Sequence, residues 1–252
     1  MAGEPRDIGS DNVLITGGGS GVGLETARLF LNAGASVTIM GRSRDKLLAA
    51  QKDLNSKNLF IFSGDVKQSA DCDAAVIEAS KTGGKTVTVL VNNAGIILRQ
   101  TAEDTSDEDW AHLMGINVTG VFYMSRAVAR QMSDGGVIVN MSSTCGAYGA
   151  VGLTAYCASK GAVDQITRSM ALELATRKIT VNAVAPGAIN SPMLFSKHQD
   201  QAMADSVVDR NIASIPIGII AEPKEIARAI IYLASERHIT GSILRIDGGY
   251  TA

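Results

Sequence analysis

Thr16-Gly17-Gly18-Gly19-Ser20-Gly21-Val22-Gly23 follows a short aliphatic run, Val13-Leu14-Ile15, and leads into an amphipathic stretch carrying Leu24, Ala27, Leu29 and Phe30. Strand, glycine loop and helix come in that order. Glycine lets the backbone turn tightly and come close to a pyrophosphate, whose charge then meets the unpaired N–H groups and positive dipole of the helix start. Gly17, Gly21 and Gly23 fit the spacing G-x-x-x-G-x-G, whereas the strict G-x-G-x-x-G fails in every frame. No Gly-Lys-Ser/Thr closes the loop, so a nucleoside-triphosphate loop would lack its lysine. A mere tight turn leaves so dense a run of glycine unexplained, since each one weakens folding unless something approaches it closely. Gly17, Gly19, Ser20, Gly21, Val22 and Gly23 are therefore candidate ligand-binding positions.

Working outward, aliphatic runs near 13–16, 36–40, 58–62, 87–92, 136–142, 179–185 and 243–246 alternate with amphipathic stretches over 22–33, 43–54, 68–82, 106–132, 153–177 and 222–235. Continuous apolar runs predict strands buried on both faces, and the alternation predicts parallel strands joined by crossover helices. The expectation is an α/β, doubly wound Rossmann fold: a seven-stranded parallel sheet with helices on both faces. No repeat, charge block or low-complexity linker divides the chain, so residues 1–252 are read as one domain. Residues 186–215 mix Pro, Gly, Ser and polar residues without a strong period, and are read as a lid over the substrate.

Composition narrows the function classes. The 252 residues are 46% hydrophobic, 19% charged and only 4% aromatic, with 23 basic against 25 acidic side chains and a net charge of −2. That balance offers no electrostatic footprint for nucleic acid or anionic lipid, so the expected partner is a small molecule. No run of 18 apolar residues exists, and Met1 to Ser10 is polar, so a soluble, cytoplasmic protein is expected. Cys72, Cys145 and Cys157 are too few and too scattered for a disulfide framework, and His112, His198 and His238 have no metal-ligand spacing; no metal is expected.

At the end of the second strand, where an acidic residue would receive an adenosine ribose hydroxyl, stand Gly41 and Arg42. A small residue followed by a guanidinium suits a ribose 2′-phosphate, which favours NADP(H), with NAD(H) left open through Asp45. Later, Tyr156 and Lys160 stand one helical turn apart, so their side chains share a helix face. A nearby ammonium stabilises a phenolate and would bring the phenol closer to working pH. Taken alone, such a pair is an ordinary surface pair, and the rest of the chain has to supply the context.

Set side by side, Thr16 to Gly23, Asn92-Asn93-Ala94-Gly95, Asn117, Ser143, Tyr156 with Lys160, Pro186-Gly187 and Asp247-Gly248-Gly249 resemble the short-chain dehydrogenase/reductase family, in its order and spacing over nearly the whole chain. The Tyr-x-x-x-Lys spacing resembles its short single-domain branch. The resemblance implies that Tyr156 is the general acid/base, that Lys160 holds the nicotinamide ribose and lowers the Tyr156 pKa, that Ser143 orients the substrate oxygen, and that Asn117 holds open a helix kink in a proton relay. Ser142 is the lesser candidate beside Ser143. It further implies that Asp65 and Val66 lie beside the adenine, that the Asn93-Ala94-Gly95 turn supports the ribose, and that Pro186, Gly187, Ile189 and Ser191 contact the nicotinamide. Ser191 stands where the family has threonine, and Asp11-Asn12 where it has Gly-Lys.

The implied reaction moves a hydride between NADP(H) and a secondary alcohol or ketone. A 3-oxoacyl carrier-protein reductase and an NAD(H)-dependent alcohol dehydrogenase use the same residues and stand as alternatives. Ile96, Ile97, Leu98, Tyr148, Leu153, Met193, Leu194 and Phe195 predict a largely apolar substrate pocket. The family resemblance also implies a homotetramer built through the helices over 106–132 and 153–177 and the C-terminal segment.

Overall fold

The computed structural model describes residues 5–194 and 212–252. Seven strands, β1 (Asn12–Thr16), β2 (Ser36–Gly41), β3 (Leu59–Ser63), β4 (Val89–Asn92), β5 (Val137–Met141), β6 (Thr180–Pro186) and β7 (Ile243–Ile246), form one sheet in the order β3-β2-β1-β4-β5-β6-β7. Every pairing is parallel, which obliges the chain to return to the same end of the sheet between strands through crossover connections. The order reverses direction between β1 and β4, and the crevice beyond their C-terminal ends is where an open α/β sheet receives ligands.

The helices are α1 (Gly21–Ala33), α2 (Arg44–Leu54), α3 (Ser69–Thr82), α4 (Asp107–Met114), α5 (Gly120–Gln131), α6 (Thr154–Leu174) and α7 (Pro223–Ser235). Alternate strand residues face opposite ways, so Val13, Ile15, Val37, Ile39, Val89 and Val139 join Phe30, Leu47 and Ile230 in one core. Leu14, Met40, Leu90, Ile138 and Val181 join Val76, Met124 and Ala171 in the other. Local chemistry sets the helix ends. Ser43 and Ser106 accept from the Lys46 and Asp109 backbone N–H groups, and Glu222 with Glu225 forms a reciprocal capping box at α7. Gly34 ends α1 with φ 104°, in the left-handed region that favours glycine.

Two long helices differ from the sequence reading. The stretch over 106–132 is divided: α4 and α5 are joined by a π-helical segment, Gly115–Thr119, in which Asn117 is fully buried. The stretch over 153–177 leaves the α form at Leu174 and ends in a 3-10 turn, Ala175–Arg177, closed by Lys178 at φ 57°. Of the expected lid, residues 195–211, including Phe195, lie outside the described residues. Asp11, at one of the departures from the family pattern, is buried, pairs with Arg6 at 2.5 Å and accepts from Thr88 Oγ1 at 2.8 Å, so here it serves to tie the strand ends together.

Candidate active site

The glycine loop turns from β1 into α1 with Gly17 at φ 68° and Gly21 at φ 55°. A side chain on Gly23 would stand 2.5 Å from the Gly17 carbonyl oxygen and 2.6 Å from Asn93 Nδ2, so only glycine permits this loop and helix to close on each other. The loop is fastened to the turn after β4: Asn93 Nδ2 donates to the Thr16 and Gly17 carbonyls at 3.1 Å, while Thr16 Oγ1 accepts from the Asn93 and Ala94 N–H groups at 3.1 and 3.0 Å. Ser20, at the helix start, makes no side-chain cap, which leaves the first-turn N–H groups of α1 to an outside acceptor. This geometry fits a dinucleotide pyrophosphate.

One cavity of about 670 Å³ runs from this loop to the catalytic candidates. Gly17, Ser20, Gly21 and Val22 of the loop line it, with Asn93, Ala94 and Gly95 and with Ser143, Tyr156, Lys160, Pro186, Gly187, Ile189 and Ser191; Ser191 stands close to Gly21. Ile96, Ile97, Leu153, Met193 and Leu194 give it the apolar wall expected from the sequence. Gly19, Gly23 and Asn117 are not part of this lining: Gly19 packs against Lys46, and Gly23 and Asn117 are buried. Arg42, Asp65 and Val66 lie outside it, at the β2 and β3 ends: Arg42 is exposed, Asp65 Oδ1 accepts from the Lys67 N–H at 3.0 Å, and Val66 is buried where a side chain on Gly120 would stand.

β5 delivers Ser143 and the first turns of α6 deliver Tyr156 and Lys160 to the same end of the cavity. Ser143 Oγ accepts from the Cys145 N–H at 3.2 Å and donates to the Pro186 carbonyl at 3.5 Å. Burial pushes the Tyr156 phenol above its ordinary range; the nearby Ser143 hydroxyl and the positive charge of Arg99 pull the other way. Lys160 Nζ stands 5.6 Å from the Tyr156 ring centroid and donates to the Met141 carbonyl at 2.7 Å. Burial brings its pKa down to about 8 against the support of Asp164. Asn117 bonds both backbone groups of Ile96, accepting from its N–H and donating to its carbonyl at 2.9 Å, and donates to Ser159 Oγ at 3.1 Å. A side chain on Gly95 would lie 3.3 Å from Asn117 Oδ1 and 3.7 Å from Lys160 Nζ, so this glycine keeps the two polar groups within reach of one another.

Three residues were not among the candidates. Thr16 was quoted only as the start of the glycine motif, yet its hydroxyl joins two loops. Asp164 takes the Ser142 hydroxyl at 2.5 Å, which assigns Ser142 to the support of α6 rather than to the cavity's chemistry; the signal was a carboxylate one turn beyond Lys160. Arg99 lines the cavity within an otherwise apolar run, Ile96-Ile97-Leu98-Arg99, and a lone cation in such a run was its signal. Cys145 and Cys157 flank the site, and burial, with a contribution from Cys157, raises the Cys145 thiol pKa, so it is poorly poised as a nucleophile.

A family model described as short chain dehydrogenase matches residues 11–202. The chain is 36% identical over 246 residues to 2-(S)-hydroxypropyl-CoM dehydrogenase 3 of Xanthobacter autotrophicus, covering 95% of this chain and 96% of that one. It is also 36% identical over 249 residues to the NADP-dependent (R)-specific alcohol dehydrogenase of Lentilactobacillus kefiri, covering 95% and 96%. The crystal structure of a short-chain dehydrogenase/reductase (glucose/ribitol dehydrogenase) from Brucella melitensis superposes with a TM-score of 0.89 at 29% identity, covering 96% of this chain and 98% of that one. Family pattern, relatives and architecture agree: the chain belongs to the short-chain dehydrogenase family and is an oxidoreductase acting on alcohol and carbonyl groups.

Proposed function

We propose that this protein is an NADP(H)-preferring oxidoreductase of secondary alcohols and ketones, with Tyr156 as its general acid/base. The observation that carries the reading is one cavity lined both by the glycine loop and by Ser143, Tyr156 and Lys160. The nicotinamide cofactor supplies or takes up the hydride when bound. Gly17 to Gly23 and the α1 start hold its pyrophosphate, Asn93-Ala94-Gly95 and Lys160 hold ribose hydroxyls, and Pro186, Gly187, Ile189 and Ser191 flank the nicotinamide. In reduction Ser143 orients the substrate oxygen and Tyr156 Oη gives it a proton; in oxidation Tyr156 takes that proton from the alcohol. Asn117, held against Ile96 and Ser159, keeps the π-helical segment open behind Lys160 for proton passage to solvent.

Arg42 supports the NADP(H) preference: it is exposed at the end of β2 and makes no ion pair among the described residues, so its guanidinium is available to a ribose 2′-phosphate. Asp65 and Val66 border the adenine in this reading. Residues 1–252 act as one unit with 186–215 as the substrate lid, working in the cytoplasm as a homotetramer; among the described residues no helix is long and apolar enough to cross a membrane.

One set of variants tests the reading. Tyr156→Phe should lower kcat for ketone reduction by about a thousandfold while leaving the fold intact by circular dichroism. Arg42→Ala should weaken NADPH binding by about ten- to a hundredfold with little change for NADH. Full turnover by folded Tyr156→Phe would refute the acid/base assignment, and equal NADPH and NADH binding by the wild type would refute the cofactor preference.

A further inference from the structure

Two cations and no carboxylate line the cavity among the described residues: Lys160, which the mechanism uses, and Arg99, which it does not. Among the described residues, Arg99 Nη1 is buried without a hydrogen-bond partner, and Nη2 donates to the Leu194 carbonyl at 3.5 Å. No carboxylate forms an ion pair with this guanidinium among the described residues. Of the acidic side chains close in sequence, Asp104, which shares a second, smaller recess with Arg99, and Asp109 have other partners. Asp104 accepts from Thr101 Oγ1 at 2.6 Å, and Asp109 accepts from Gln100 Nε2 at 3.2 Å. A buried guanidinium N–H left unmade is costly, and in native proteins such a group points to a partner that arrives from outside.

Its place decides which partner. The backbone on either side is tied to the part of the chain that carries Tyr156: Gln100 bridges to Leu153, just before α6, and Leu194 lines the same cavity. The charge of Arg99 is felt at the Tyr156 phenol, so the guanidinium sits within electrostatic reach of the reacting oxygen. We infer that Arg99 anchors a carboxylate on the substrate, so that the preferred substrates are hydroxy acids and their keto acids rather than neutral alcohols and ketones. The planar fork of the guanidinium suits a carboxylate held beside an apolar wall of Ile97, Leu153 and Leu194, which would pack the intervening chain. This deepens the proposed function and rests on the substrate entering beside Tyr156.

The test pairs each acid with its neutral isostere. Binding of butyrate and butyramide is titrated calorimetrically onto the protein with NADP+ present, and reduction of acetoacetate and 4-oxopentanoate is compared with that of their amides. The wild type should prefer the acid about tenfold or more in at least one reducible pair and in the binding pair, and the preference should weaken as salt is added. Arg99→Gln should abolish the ratio of acid to amide, and Arg99→Lys should retain part of it. A wild type that treats acids and amides alike, or an Arg99→Gln variant that keeps the ratio, would overturn the inference. The binding pair needs no turnover, so an acid preference without ketone reduction would sink the proposed reaction and leave Arg99's role standing. The wild-type arm decides even where a variant fails to fold.

Discussion

Tyr156 and Lys160 are both removed from water, and burial acts on them in opposite directions because one is charged when deprotonated and the other when protonated. The raised phenol stays protonated at neutral pH, the form that donates to a ketone. Oxidation needs the phenolate, whose fraction grows about tenfold per pH unit below its pKa. Lys160 is charged only below about 8, and above that the phenolate loses its neighbouring ammonium. The logarithm of kcat/KM for alcohol oxidation should therefore climb with a slope of about +1 up to about pH 8 and bend there. Lys160→Arg, which cannot lose its charge in this range, should remove that bend. A profile that bends at the same pH in both proteins would assign the titration to another group.

At the scale of elements, the π-helical segment depends on one side chain. Asn117 supplies both the acceptor and the donor that the Ile96 backbone requires, so its amide replaces a stretch of sheet or helix bonding for the chain leaving β4. Asn117→Ala should strand these groups and cost about 2–3 kcal/mol in chemical denaturation, with activity falling in parallel. Asn117→Asp keeps the acceptor but loses the donor, and should fall between. The strands were legible within about two residues because both sheet faces are covered, so each appears as an unbroken aliphatic run. The interruption of 106–132 at Asn117 was legible only through the family resemblance, because Gly115-Ile116-Asn117-Val118-Thr119 continues an ordinary helical pattern and the contact of Asn117 with Ile96 joins residues distant in sequence. Tyr156, Lys160 and Ser143 were legible as a set through their spacing and order. Arg99 was not, since a single cation in an apolar run acquires meaning only when its lack of a partner is seen.

Across the whole molecule, several large apolar side chains on helices face outward: Trp110 on α4, Phe122 on α5 and Leu172, 80% exposed, on α6. Helices that spend apolar residues on their outer faces are set up for contact with another protein surface, here a second copy of the chain in the proposed homotetramer. Calibrated light scattering should give four times the chain mass, and Phe122→Glu with Leu172→Glu should shift it to a smaller species. A monomeric wild type would end the proposal.

The cavity draws on Gly17, just after β1, and on Tyr250 beyond β7, with Ile215 packed where a side chain on Gly248 would stand. Its walls therefore come from segments far apart in the sequence. A ribosome releases the first of them long before the last, and an emerging chain can pair β1 with β2 while the cavity still lacks its final wall. Maturation of the pocket therefore waits on synthesis of β7 and the turn that follows it.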